Sequence, residues 1–582
     1  MIAALLMAAA LAATLLPASV RPSTAPALSA GAAPRPRSRR AQGERERDPP
    51  FALSVGARSE RKRDPPFALS VGARSAPKSK GAEPVPEQVD VVHALRLLAD
   101  EDVDGARAVA EPLLAKHPGD PGAKLAVGVL RLFEQRYDEA VSLIESAGAG
   151  EPASYLALAR AARDVTKGHV RSESEHFVVS HPPGKDEVLV PYLVDTLERQ
   201  RDALERALGY APPGKLTVEI VNDVKELARV TTLTEAEIRT SGTVAVCKFN
   251  KLMLLSPKAL LKGYDWQDTA AHEYTHLVLT RKSRNEAPIW LQEGLAKWFE
   301  DDWRGGGEPL SPVSAALVKD AVQKGTLVTF DEMHPSLAKL PSQERAALAY
   351  AEVVLAVEKM VQLAGPAVLG KVLDLEARGK DAKDAVATAL GMPFDSFLET
   401  WKRHMVARPL PKGGDHELRK LRFKDDPKQG GAWAEWAEIP DEKARGFARL
   451  GEVMRARGRW SAARVEYGKA FERVGARVPI LSDQYALAAL QTGADDVAAK
   501  VLAEALSWNP DHPALHVHLA RLLVKRQDWK AARDHLLLAN RQDPFDPEIH
   551  AGLAKALAAL GDPGGASREE RFGRILLPEG HR

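Results

Sequence analysis

Prolines recur at a fixed interval near the C-terminus. Pro479, Pro513 and Pro547 are spaced by 34 residues, as are Pro510 and Pro544. Trp460-Ser461-Ala462-Ala463-Arg464 returns as Trp529-Lys530-Ala531-Ala532-Arg533, two periods on with one residue extra. Proline is tolerated in the first turn of a helix, where its missing N–H costs nothing, and is excluded from helix interiors. A repeat of this length therefore predicts helix pairs that stack on one another and leave a concave face for a protein or peptide partner. Between about 409 and 430, Pro-Leu-Pro-Lys-Gly-Gly-Asp and Lys-Asp-Asp-Pro-Lys-Gln-Gly-Gly read as a linker into this region.

Thirty-four residues is the tetratricopeptide period, and residues 431–582 resemble a tetratricopeptide solenoid. Residues 89–170 resemble it too, with small Ala at packing positions, Tyr137 near a helix end and Pro118 and Pro121 between units. His512, His516 and His518 cluster in the solenoid; repeat turns and solvated helix faces account for them better than a metal does.

The first 88 residues are of another kind. Residues 2–16 form an apolar run ended by Pro17 and followed by small residues, the length of a signal-peptide core and too short for a stable membrane span. Residues 1–30 are thus expected to export the chain to a periplasmic or secreted location in a bacterium. The other reading is a cytoplasmic chain, or one anchored by its N-terminus. Residues 31–88 are rich in Pro, Ala and Arg and are expected to be disordered. They contain Arg-Asp-Pro-Pro-Phe-Ala-Leu-Ser-Val-Gly-Ala-Arg-Ser twice, at 47–59 and 63–75. Two copies are too few to stack as a structural repeat.

Charge follows the same division. The chain of 582 residues carries +2, but residues 35–80 hold thirteen Lys/Arg against five Asp/Glu. With Arg21 also set aside, residues 81–582 carry about −7, which argues against a nucleic-acid partner. Cys247 is the one cysteine. That excludes a disulfide framework and any Cys-based zinc site, leaving His and carboxylates as metal ligands.

Between 172 and 408 the pattern alternates. Strands are expected at 175–181, 215–221, 243–249 and 252–255, the last two joined by a turn at Asn250. A helix is expected over 266–281, with Asp265 as its cap. That helix reads His272-Glu273-Tyr274-Thr275-His276. Residues four apart share a helix face, so His272 and His276 can hold one face of a tetrahedral zinc with Glu273 beside the open position. A further helix carries Trp290-Leu291-Gln292-Glu293-Gly294-Leu295-Ala296, with Pro288 in its first turn.

H-E-x-x-H followed about twenty residues later by W-L-x-E-G-L-A resembles the gluzincin metallopeptidases, which include thermolysin-like enzymes and zinc aminopeptidases. The resemblance implies Glu293 as third ligand to one Zn²⁺, with Gly294 and Ala296 letting the two helices approach. It implies Glu273 as general base and an edge strand, here the one holding Cys247, that aligns a peptide or protein substrate. Tyr350 is its candidate oxyanion donor, with His334 the weaker one. Cys247 itself reads as a packing residue. Two departures stand out. Lys297 sits where thermolysin-like enzymes place an Asp behind a zinc histidine, with Asp268 the candidate replacement. There is also no exopeptidase motif, and Asn285-Glu286 is assigned no role.

The expected fold is mainly α, with an α+β catalytic domain of thermolysin-like gluzincin type at 172–408 between tetratricopeptide-type segments. The expected function is zinc-dependent peptide-bond hydrolysis, with the repeats recruiting partners or substrates. The alternative is a scaffold whose gluzincin domain binds peptides without cutting them.

Overall fold

The computed structural model describes residues 86–148, 153–231, 233–333, 337, 340–408, 421–425 and 435–577. The expected signal segment, nearly all of the basic tether, His334 and most of the 409–430 linker lie outside these residues.

Five helices come first: α1 (Pro86–Ala99), α2 (Val103–Lys116), α3 (Pro121–Phe133), α4 (Tyr137–Ala147) and α5 (Ala153–Thr166). Asp102 and Asp120 cap α2 and α3 by accepting the main-chain N–H groups of Gly105 and Ala123. Gly128 lets α3 and α4 close up, since a Cβ there would lie 2.6 Å from Ile144 Cγ1.

The sheet follows: β1 (Val170–Glu173), β2 (Phe177–His181), β3 (Leu216–Val221), β4 (Ala245–Lys248) and β5 (Lys251–Leu255). Helices α6 (Val190–Leu208), α7 (Val224–Val230) and α8 (Glu235–Ser241) connect the strands. The order is β1-β2-β3-β5-β4; β3 runs parallel to β2 and β5, and the outer strands run antiparallel. Every residue of β3 is buried, as expected for a central strand covered on both faces. β4 is therefore an edge strand beside the motif helix.

That helix is α9 (Trp266–Ser283), and α10 (Ile289–Phe299) follows it. Pro288 stands at the N-cap of α10, one position before the expected first turn. Asp265 occupies the N-cap of α9, but its carboxylate makes no capping hydrogen bond. Burial, with Asp268 nearby, pushes its carboxyl up to about 8. The lower lobe comprises α11 (Pro312–Lys324), α12 (Phe330–Met333), α13 (Gln343–Ala364), α14 (Ala367–Glu376), α15 (Ala382–Leu390) and α16 (Phe394–Ala407). An aromatic stack ties it to α10: Trp290 on Phe330 at 4.7 Å and Phe330 on Trp401 at 5.4 Å between ring centres.

Four helix pairs end the chain: α17 (Glu442–Ala456) with α18 (Trp460–Val474), α19 (Pro479–Gln491) with α20 (Asp495–Trp508), α21 (Pro513–Lys525) with α22 (Trp529–Gln542), and α23 (Pro547–Ala559) with α24 (Pro563–Leu576). The periodic prolines 479, 513 and 547 each open the first helix of a pair. The fold class is thus mainly α, with an α+β domain and tetratricopeptide-type repeats.

One expectation about the solenoid is corrected. His512, His516 and His518 are buried, not solvated. His516 lies 2.6 Å from Pro510 O and 2.9 Å from the His535 ring, and His518 lies 2.8 Å from Asp483 Oδ1. His550 repeats the first contact one period later, 2.8 Å from Pro544 O. These histidines fasten helix pairs together. Among the described residues, no single helix is long and apolar enough to cross a membrane.

Candidate metal centre and active site

The four-residue spacing on α9 and the position of Glu293 on α10 bring three donor atoms to one buried point. His272 Nε2 lies 3.1 Å from His276 Nε2. Glu293 Oε2 lies 3.7 Å from the first and 3.4 Å from the second. Ligands about 2.0–2.2 Å from a tetrahedral zinc stand roughly 3.4 Å apart, so the spacing fits such an ion. Among the described residues this is the one group of three or more His, Cys, Asp or Glu that could hold a metal.

The electrostatics agree with the geometry. Burial, reinforced by the neighbouring His276, holds His272 well below the usual imidazole range, so it stays neutral and able to ligate. Burial raises the Glu293 carboxyl, and His276 beside it works the other way. Burial opposes charge on His276 as well, yet Glu293 lifts it above its ordinary value. Two imidazole nitrogens and a carboxylate oxygen converging out of water are stabilised by a cation among them.

Behind His272 stands a group that sequence reasoning missed. His272 Nδ1 lies 3.2 Å from Glu300 Oε2. A carboxylate only accepts, so Nδ1 carries the proton and Nε2 turns its lone pair to the site. The other oxygen of Glu300 accepts from Lys297 Nζ. Lys297 therefore does not displace the supporting carboxylate; it pins a different one. Asp268, the expected replacement, is engaged elsewhere: it accepts from Trp303 Nε1 at 2.8 Å and Arg304 Nη2 at 2.8 Å. The available signal was spacing, since Glu300 follows Glu293 by seven residues, two helical turns on the same face.

Glu273 is 2% exposed, and its Oε2 accepts the Cys247 main-chain N–H at 2.9 Å. The motif carboxylate and the edge strand are thus directly linked. Tyr350, on α13, has a buried hydroxyl with no hydrogen-bond partner among the described residues. Burial pushes it well above the usual phenol range, and the nearby charges of Glu293, Glu273 and Glu300 add to this. It therefore stays protonated and able to donate. Cys247 is half-buried on β4. Gly294 is close-packed, but not against α9: a Cβ there would lie 2.8 Å from Val353 O of α13. A cavity of about 430 Å³ between α6 and α14 lies away from these residues.

Residues 204–407 match the family model described as the peptidase MA superfamily, and residues 489–568 match the tetratricopeptide repeat model. No curated protein matches the chain. Among solved structures, yeast LTA4 hydrolase in complex with bestatin aligns at 13% identity over 70% of this chain and 67% of that one, with a TM-score of 0.28. The native hydrolase from Saccharomyces cerevisiae aligns at 11% identity over the same shares, with a TM-score of 0.28. The APC/C hetero-tetramer Cut9–Hcn1 aligns at 12% identity over 85% of this chain and 94% of that one, at 0.22. On the two family matches, the chain carries a peptidase MA superfamily domain joined to tetratricopeptide repeats.

Proposed function

We propose that the chain is a zinc-dependent peptidase. The observation that carries this reading is the buried convergence of His272 Nε2, His276 Nε2 and Glu293 Oε2 beside Glu273. The superfamily match of residues 204–407 supports a metallopeptidase of this kind.

His272, His276 and Glu293 would hold the ion, which supplies Lewis-acid activation of a water and of the scissile carbonyl. Glu273 takes the proton released as the water attacks and hands it to the leaving amine. Its carboxylate is aimed for this by the Cys247 N–H. The Tyr350 hydroxyl donates to the oxyanion that develops on the carbonyl. An extended peptide lies along β4, the outermost strand of the sheet, which aligns it across the site. Glu300, gripped by Lys297, keeps His272 in the tautomer that presents Nε2.

The tetratricopeptide repeats point to protein–protein interaction. We propose that they recruit a substrate or partner protein, within the division 89–170, 172–408 and 431–582. We also propose export, on the apolar run at 2–16. The test of the enzymatic reading is cleavage of a broad peptide library by wild type and Glu273→Gln. The expected result is cleavage by wild type, reduced by about 10²–10⁴-fold in the variant, the usual worth of a general base. Zinc binding without cleavage by either protein would favour a scaffold that only holds peptides.

A further inference from the structure

The strand that aims Glu273 is itself held from outside the peptidase domain. Val244 O accepts the Leu255 N–H at 2.8 Å, so even-numbered residues of this segment turn their main-chain groups toward β5. Odd-numbered residues turn theirs outward, and the outward N–H of Cys247 is the one that meets Glu273. Two residues on, the β4–β5 hairpin turns at Phe249 and Asn250, both left-handed with φ of 56° and 57°. Asn tolerates that conformation; Phe does not adopt it readily and must be held there.

The N-terminal helices do the holding. Glu101, in the loop between α1 and α2, accepts the Phe249 N–H at 3.1 Å through Oε1 and the Asn250 N–H at 2.8 Å through Oε2. Phe133, at the end of α3, packs edge-on against Phe249 with ring centres 5.5 Å apart. Its carbonyl accepts from Asn250 Nδ2 at 3.3 Å. At the other side of the turn, Lys251 Nζ donates to Glu219 Oε2 at 2.6 Å and to the Tyr137 hydroxyl at 2.8 Å, all out of water. A carboxylate that accepts two successive main-chain N–H groups fixes both the pitch of the turn and the register of the strand leading into it.

We infer that Glu101 is a positioning residue for the peptidase site, acting through the hairpin and the Cys247 N–H to place Glu273 and the substrate-pairing edge. Its activity readout rests on the peptidase reading proposed above; its thiol readout does not. The N-terminal repeats then form part of the active-site scaffold in addition to any recruiting role.

Cys247 is the only cysteine in the chain, so its reaction with a thiol reagent reports the docking of β4 alone. Burial holds its thiol well above the usual range, so wild type is expected to react slowly. Full-length wild type, Glu101→Ala, Glu101→Gln and Arg160→Ala are labelled with excess Ellman reagent, with far-UV circular dichroism and zinc content recorded alongside. Arg160 on α5 makes a solvent-exposed ion pair with Glu145 on α4, among the same N-terminal helices, and serves as control.

Glu101→Ala, which removes both acceptor oxygens, should speed labelling by about tenfold or more, since even one charge-assisted hydrogen bond lost from a local opening equilibrium is worth about that. Glu101→Gln, which keeps one acceptor oxygen, should fall between Glu101→Ala and wild type, and Arg160→Ala should match wild type. At unchanged zinc content, kcat/KM for a peptide should fall in the order Gln then Ala. Labelling of folded Glu101→Ala at the wild-type rate overturns the inference. Should that variant unfold, wild-type labelling of Glu101→Gln overturns it instead. Absence of cleavage by wild type counts against the peptidase reading and leaves the thiol result to decide this one.

Discussion

At the scale of single residues, the site depends on a relay of acceptors and donors behind His272. Lys297 holds Glu300, Glu300 orients His272, and His272 presents Nε2 toward His276 and Glu293. Glu300→Gln keeps the shape of the side chain but loses its charge. It should weaken zinc affinity by about 10–100-fold, measured by competition with a chromophoric chelator. Asp268→Asn, which touches Arg304 and Trp303 instead, should leave that affinity near wild type. His272, Glu273 and His276 were legible in the sequence because a helix converts four-residue spacing into a shared face. Glu300 was not legible, because the resemblance places a supporting carboxylate one turn beyond Glu293, where Lys297 stands, and Glu300 lies a further turn on. Glu101 left no local signal at all: it meets the hairpin across 148 residues of chain, and only the tertiary fold brings them together.

At the scale of elements, long periodic segments were read closely and short ones were not. The helix expected over 266–281 is α9, Trp266–Ser283, since a long segment with a fixed spacing leaves little ambiguity. The seven-residue helices α7 and α8 went unread, too short to establish a period. Strand β1, Val-Arg-Ser-Glu, is mostly exposed and has no apolar alternation to reveal it.

Burial inside an element also creates a pH-dependent weakness. Glu376 on α14 is fully buried with neither oxygen hydrogen-bonded, and burial pushes its carboxyl up to about 8. A carboxyl raised in the folded state favours the protonated form there. Its contribution to stability is therefore present below the unfolded value of 4.5 and is lost as pH rises through about 8. Glu376→Gln should match wild type in thermal midpoint at pH 5 and exceed it at pH 8.5, by roughly 2–4 °C for each kcal/mol relieved. Equal midpoints at both pH values would contradict this account of Glu376.

At the scale of the whole molecule, the described repeats are fastened to the peptidase domain on two sides. The N-terminal helices bury Tyr137 against Glu219 and Lys251 of the sheet. The solenoid meets the start of α9, where Trp266 Nε1 donates to Asn540 O at 3.0 Å and the Tyr264 N–H donates to Gln542 O at 3.1 Å. Gly263 makes that approach possible: its φ is +63°, and a Cβ there would fall 1.7 Å from Gln542 O. Gly263→Val should therefore part the solenoid from the domain. The expected readout is faster limited proteolysis around 421–435 with the helical content of each part retained. Wild-type resistance to the protease would show that the seam does not depend on this approach. The proline period announced the repeats, but a seam formed by main-chain carbonyls at the end of α22 leaves no mark in composition or spacing.

The central claim is that His272, His276 and Glu293 form one zinc site with Glu273 as base, and zinc stoichiometry by mass spectrometry tests it most directly. The account predicts one zinc per chain in wild type and in Glu273→Gln, and loss of that zinc in Glu293→Ala. Wild type without zinc after purification and zinc loading, or Glu293→Ala retaining a full equivalent, would contradict it.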